Sequence, residues 1–284
     1  MTKNYLLALL ILFLLPAHAQ HEIWGTLGVG GENGYGYIYK CDATGDNFTI
    51  VHQFEGTDGL GPGGLLAASN NKLYGITTSG GQAGTTTQAL FQGGVLFEID
   101  LATEEFTILK HFYLDNEEIT GTMPMGHGQL SLIEVSPGVI YGNIRSGNSD
   151  RIFSYNTVDN TITSAALMPT FNGGAMNSIQ GMHLTGALYL AEDGYLYGAT
   201  AERSLCPIPI PIAGTIVRID PDTGTITFPY IASCTPSADG FIYKSNFVAH
   251  GDELYSVAME GGAYNKGVLY SYNPVTDTYI NKFD

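Results

Sequence analysis

The sequence predicts an all-β chain, a β-propeller of about five four-stranded antiparallel blades, with the ring either closed or incompletely closed. Three observations predict it. First, an alternating run closed by Asp or Asn recurs five times without a gap: Gly36-YIYKCD, Gly94-VLFEID, Asp150-RIFSYN, Gly214-TIVRID and Gly267-VLYSYN. Second, each copy follows a short apolar run centred on an aromatic residue, at a repeat length that stacked sheets require. Third, 37 Gly, 18 Tyr and 13 Phe with only 13% charged residues suit many short strands joined by tight turns. No helical periodicity competes with this pattern.

The 284 residues are enough for one large repeat fold with a real core. Residues 1–19 read as a signal peptide: Lys3, an apolar run from Tyr5 to Leu15, Pro16, then Ala17-His18-Ala19 in the small-x-small form of a cleavage site. That apolar run is shorter than the roughly 20 residues a spanning helix needs. No second hydrophobic span follows it, so the expectation is an exported protein with no membrane span after cleavage. Residues 20–284 form the repeat domain, with repeats at roughly 21–56, 57–113, 122–166, 180–230 and 240–284.

Within a repeat the order of runs is A, B, C, D. Strand B is centred on Trp24, Tyr74, Tyr141, Tyr197 or Tyr255. Strand C ends at Asp42, Asp100, Asn156, Asp220 or Asn273, and six residues later strand D opens at Phe48, Phe106, Ile162, Ile226 or Tyr279. A strand-end Asp or Asn can accept a bond from backbone two residues on, so the constant spacing predicts a β-hairpin. Strand A falls at 63–69, 129–135, 183–191 and 244–249. Repeat 1 has no such run before Ile23. The sequence is therefore expected to be a fragment whose continuation supplies the missing strand, or else a five-bladed ring with one three-stranded blade; an open ring leaves sheet edges unpaired.

The run LYGITTSGG followed by GVLFEID, with HQFEGTDGLGPGGLLAAS before it, resembles the GloVer-type tandem repeat of exported bacterial proteins. The likeness is best in repeat 2 and weakest in repeats 3 and 4, which lack the Gly pair. More distantly, the strand order is similar to kelch blades. The resemblance implies an exported, surface-associated repeat protein and says more about location than activity.

The net charge of −16 excludes a basic footprint for nucleic acid or anionic membrane. Cys41 shares an apolar column with Ile99, Tyr155, Ile219 and Tyr272 and reads as a small core hydrophobe. Cys206 and Cys234 fall in connections on one face and either pair as a disulfide or remain two free thiols. With no CxxC or HxH spacing, no metal site is expected. DPDTG at 220–224 is half a calcium loop without the later acidic ligand. The Gly-rich stretch 28–36 leads into a strand, so no helix N-terminus waits there for a phosphate, and no cofactor is expected. No GxSxG elbow marks a nucleophile, and the histidines share no column, so no catalytic residue is assigned.

The loop from strand B to strand C varies. From the strand B aromatic to the start of strand C the distances are 12, 20, 9, 17 and 12 residues, while the C to D turn is constant. That face is the expected working face. Tyr35, Phe91 and Tyr264 are its candidate stacking residues for a glycan or protein ligand, and CPIPIPI (206–212) is a stiff protrusion on it. The leading reading is an exported noncatalytic binding or scaffold module at the cell surface or in the periplasm. The alternative is a polysaccharide-degrading lyase or hydrolase with its site at the propeller channel. An enzyme requires converging ionisable groups; a binder requires an aromatic or polar patch.

Overall fold

The computed structural model describes residues 22–81, 94–112, 131–146, 149–167, 170–173, 178–181, 184–200, 214–232, 240–243 and 245–284. Residues 1–19, read from the sequence as a signal peptide, and Phe91, Cys206 and Cys234 lie outside these residues. Every described element is a strand, and the strands form five successive antiparallel sheets plus one hairpin.

Blade 1 has three strands, β1 (Glu22–Leu27), β2 (Tyr37–Asp42) and β3 (Thr49–Gln53), as the missing first run requires. Blade 2 is β4 (Leu60–Ala67), β5 (Lys72–Ser79), β6 (Val95–Asp100) and β7 (Phe106–His111). Blade 3 is β8 (Leu132–Ser136), β9 (Val139–Ser146), β10 (Ser149–Asn156) and β11 (Thr161–Leu167). A hairpin of β12 (Thr170–Gly173) and β13 (Ser178–Gly181), which the repeat pattern does not foresee, precedes blade 4. Blade 4 is β14 (Tyr189–Leu190), β15 (Leu196–Thr200), β16 (Thr215–Ile219) and β17 (Ile226–Ile231). In blade 5, β18 (Gly240–Tyr243) and β19 (Val248–His250) both pair with β20 (Glu253–Gly261), followed by β21 (Val268–Asn273) and β22 (Thr278–Phe283).

The first strands are more broken than the apolar runs predict. In blade 4 an isolated bridge between Leu184 and Thr200 precedes β14. Blade 5 splits its first strand in two, and blade 2 carries a register shift between Pro62 and Leu65. The breaks in blades 4 and 5 meet: the Asn246 side chain accepts the Ala187 N–H at 2.7 Å.

The predicted Asp and Asn hairpins form. Asp100 Oδ1 accepts the N–H of Ala102 at 2.8 Å and of Thr103 at 3.1 Å; Asp220 does the same for Asp222 and Thr223, and Asn273 for Val275 and Thr276. Blade 1 departs slightly, with Asp42 reaching Thr44 and Asp46. The fourth turn residue adopts positive φ in blades 2 to 5, at Glu104, Asn160, Gly224 and Asp277.

Strand alternation sends the two faces of blades 2 to 4 to their two neighbours and one face of blades 1 and 5 to one, and the core is four clusters, one per successive pair of blades. Ile38 packs with Val95, Phe97 and Ile99; Tyr74, Ile76 and Leu96 with Phe153 and Tyr155; Tyr141 and Ile152 with Val217 and Ile219; Tyr197, Ala199 and Ile216 with Tyr270 and Tyr272. Aromatic rings repeat across these interfaces, with Tyr74 and Tyr155 at 5.9 Å and Tyr197 and Tyr272 at 5.8 Å. Burial pushes the hydroxyls of Tyr74 and Tyr155 up to about 12. Among the described residues no fifth cluster joins blade 5 to blade 1.

One column escapes a purely apolar reading of the sequence. A Gly follows the strand B aromatic in four repeats, at Gly25, Gly75, Gly142 and Gly198, with Ser256 in the fifth. Its cross-strand partner is Tyr39, Phe97, Phe153, Val217 or Tyr270. A Cβ at Gly25 or Gly142 would sit 2.6 Å from the partner ring. The missing side chain is the seat of the facing ring. In blade 4, where the partner is Val217, Leu184 takes that space.

Candidate functional site

In four antiparallel strands the A to B and C to D turns fall at one end of a blade, and the B to C loops and blade connections at the other. The first end is locked by polar ties. Lys40 Nζ donates to Glu104 Oε1 at 2.7 Å between blades 1 and 2, and Ser69 Oγ to Glu134 Oε1 at 2.7 Å between blades 2 and 3. Tyr141 Oη donates to the Pro221 carbonyl at 2.5 Å between blades 3 and 4, and Arg218 meets Asp277 at 3.4 Å between blades 4 and 5. The opposite end carries the loops that differ.

Those loops share one closing device in blades 1, 2 and 5. The pairs Gly30-Gly31, Gly80-Gly81 and Gly261-Gly262 all take positive φ, which lets the chain reverse at the end of strand B. The first carbonyl of each pair then accepts the N–H of the Gly that opens strand C. The distances are 2.9 Å for Gly36 to Gly30, 3.2 Å for Gly94 to Gly80 and 3.1 Å for Gly267 to Gly261. Whatever lies between the second Gly and the closing Gly is presented from a fixed base. In blade 2 that insert is residues 82–93, which include Phe91 and lie outside the described residues.

The two short loops are equivalent residue by residue. Gly34 N–H reaches the Gly31 carbonyl at 3.3 Å, and Asn265 N–H reaches the Gly262 carbonyl at 3.2 Å. Tyr264 therefore stands in the place of Asn33, and Lys266 in that of Tyr35. Tyr264 is 77% exposed on a loop further pinned by Asn265 Oδ1 accepting the Gly261 N–H at 3.1 Å. Tyr35 is different. Its ring packs against the core between blades 1 and 2, and its carbonyl accepts the Gly61 N–H at 2.9 Å. Tyr35 supports the loop, and Tyr264 projects from it.

Ionisable groups near this end act as structural partners. Asp150, 1% exposed, is the one core carboxylate among the described residues. Its Oδ2 accepts Asn143 Nδ2 at 3.1 Å and the Leu184 N–H at 2.9 Å, tying blade 3 to the bridge that precedes β14 in blade 4. It stands where other blades have Gly, because β9 and β10 continue as a regular ladder past that column. His52 Nε2 meets Asp58 Oδ2 at 2.8 Å, and the ring lies flat on Phe106 at 3.7 Å. Burial raises the Asp58 carboxyl, but His52 and the Glu55 N–H outweigh it and hold the group below its ordinary value. Burial and Lys110 push the His111 imidazole down. Among the described residues no three His, Cys, Asp or Glu side chains form a metal-sized group.

Cys41 corrects its sequence reading. Its column is buried in blades 2 to 5, yet Cys41 is half-exposed and free, because among the described residues no blade covers that side of blade 1.

No curated protein matches the chain. Among solved structures, puromycin hydrolase in an S511A mutant complexed with PGG aligns with TM-score 0.53 at 10% identity, over 92% of this chain and 35% of that one. The oligogalacturonate lyase of Vibrio parahaemolyticus aligns at 0.49 and 13% identity, over 86% of this chain and 59% of that one. A chain of the nidogen/laminin complex aligns at 0.47 and 10% identity, over 87% and 72%. The chain thus spans about a third of the hydrolase and under two thirds of the lyase, and at these identities the likeness speaks to the fold alone. More than half of the sequence matches a repeat model, and by that match over residues 14–202 the chain belongs to the Gloeobacter/Verrucomicrobia repeat family.

Proposed function

We propose that this protein is an exported, noncatalytic recognition module with kelch-like blades, which binds a glycan or protein ligand at the cell surface or in the periplasm through the loops between strands B and C. The observation that carries the reading is the contrast between the two ends. One end keeps a C to D turn of constant spacing and is cross-tied between blades, while the other carries loops of unlike length, three of them on a repeated closing device. Fixed frames with variable loops are how folds place binding groups. Tyr264, exposed on a pinned loop, offers a flat amphipathic surface with little ordering cost. Residues 1–19 support export.

The enzyme reading has one observation on its side, the core carboxylate Asp150. Its Oδ2 is already shared by two donors that join two blades, which favours a structural part. The test is a glycan array probed with the full chain and with Tyr264→Ala. The expected result is a defined set of binders that lose at least about tenfold in affinity on substitution. Binding that survives Tyr264→Ala unchanged removes Tyr264 from the site. Release of an unsaturated or shortened product from a bound polysaccharide overturns the noncatalytic reading.

A further inference from the structure

Blades 1 and 5 each turn one face away from the rest of the molecule, and those faces are the two halves of the interface that is already built four times. Ile38, Leu96, Ile152 and Ile216 occupy one column of strand C, face the next blade and are 0% exposed. Leu269 occupies the same column in blade 5 and is 39% exposed; beside it, Val257 is 44% and Phe283 73% exposed. Leu269 pairs with Val257 on one side and Phe283 on the other, so the three form one stripe across the sheet. On blade 1 the opposite face carries Ile23 at 48% and Ile50 at 41% exposed around Tyr39, which stacks on Phe48 at 5.1 Å. Among the described residues both faces are thus open in the same chain at once.

We infer that the outward face of blade 5 is a docking surface for the outward face of blade 1 of a second copy of this chain, in a head-to-tail contact that continues the blade-to-blade packing. The occupant follows from continuity with the four existing interfaces. In each of them the strand B aromatic of one blade meets a strand C residue of the next: Trp24 and Ile99 lie in one cluster, as do Tyr74 and Tyr155, Tyr141 and Ile219, and Tyr197 and Tyr272. The fifth aromatic is Tyr255, and the remaining member of the facing column is Cys41. A heterologous contact of this kind joins unlike faces of identical chains and assembles a ring or a filament.

The column rule gives a direct test. In the full chain with Cys206 and Cys234 replaced by Ser, Tyr255→Cys is treated with a short bis-maleimide that bridges two thiols. A species of twice the chain mass or larger is expected on a denaturing gel, formed between Cys41 and the new thiol and absent when Cys41 is also replaced by Ser. Sedimentation of the unsubstituted chain should show association. Leu269→Asp should weaken it at least about thirtyfold while the circular dichroism stays unchanged, since that position is open within the monomer. A bridge formed within one chain shows that blade 1 closes on its own blade 5 and overturns the proposal. A monomer at all concentrations, with no bridge, overturns it too.

Discussion

Replacing Gly75 by Ala is the sharpest probe of the aromatic seat. An ideal Cβ at Gly75 falls against three atoms of the Phe97 ring, with Cε2 at 2.6 Å and Cε1 at 2.8 Å. Phe97 is 0% exposed and has Phe106 at 5.1 Å and Phe54 at 5.7 Å, so the ring has nowhere to retreat. Overpacking of a closed core costs about 1–3 kcal/mol, and the loss of glycine's freedom in the unfolded chain returns about 0.4–1 kcal/mol. A net loss of about 1–2 kcal/mol is expected, a fall in Tm of roughly 2–8 °C for a chain of this size class. Gly64→Ala is the control, because nothing lies within 4 Å of its Cβ and its φ is not positive. Urea unfolding followed by tyrosine fluorescence reads both. Gly75→Ala should also be partly rescued by Phe97→Leu, which shortens the ring that the new methyl strikes. Equal midpoints for Gly75→Ala and Gly64→Ala would refute the reasoning.

Three further outcomes follow from the same contacts. Asp150→Ala strips the acceptor from two buried donors, Asn143 Nδ2 and Leu184 N–H, and should cost about 2–5 kcal/mol in urea unfolding, whereas an exposed Val275→Asp should be close to neutral. Hydrogen bonds from the backbone or a neighbouring hydroxyl hold the turn carboxyls Asp42, Asp100 and Asp220 below their ordinary value. Their stabilisation is present above the unfolded value of about 3.9 and is lost as pH falls through the lower folded values, so a Tm profile should drop in that acid range and flatten when all three are changed to Asn. Ile216→Ala should cost about 2–5 kcal/mol and Leu269→Ala far less in the monomer, although both occupy one column, because only the first is covered by a neighbouring blade.

The strand order was legible because strand C combines two signals that chemistry ties to position: an alternating apolar run, and an Asp or Asn whose short side chain must reach backbone two residues on. Asn156 and Asn273 fill the column as well as Asp100 does, which identifies geometry and not charge as the constraint. The first strands were less legible. HLTGALYLA reads as one strand, but Gly186 lies so close to the Ser245 carbonyl that a Cβ there would be 2.6 Å from it, and the ladder breaks at that contact between blades. Tyr35 and Tyr264 look alike as loop aromatics. Only the alignment of the two loops through Gly30-Gly31 and Gly261-Gly262 shows that they hold different positions, one under the loop and one at its tip. Cys41 was misread because a column names the packing partner but not whether that partner is there.

The same logic explains where this repeat tolerates variation. Blades 2 to 4 are stabilised by contacts with two sequence neighbours and blades 1 and 5 by contacts with one, so an altered loop changes one blade's term and leaves the other interfaces intact. At the end with the C to D turns a change has no such isolation, because Lys40, Glu134, Tyr141 and Arg218 each take part in a contact that crosses to another blade or its turn. In blades 1, 2 and 5 the Gly pair and its closing Gly bear the geometry of the loop base, so length can differ above it. Under the binding role proposed above, loops standing on that device are the part of the molecule that a ligand would shape, while the cross-tied end keeps them in register.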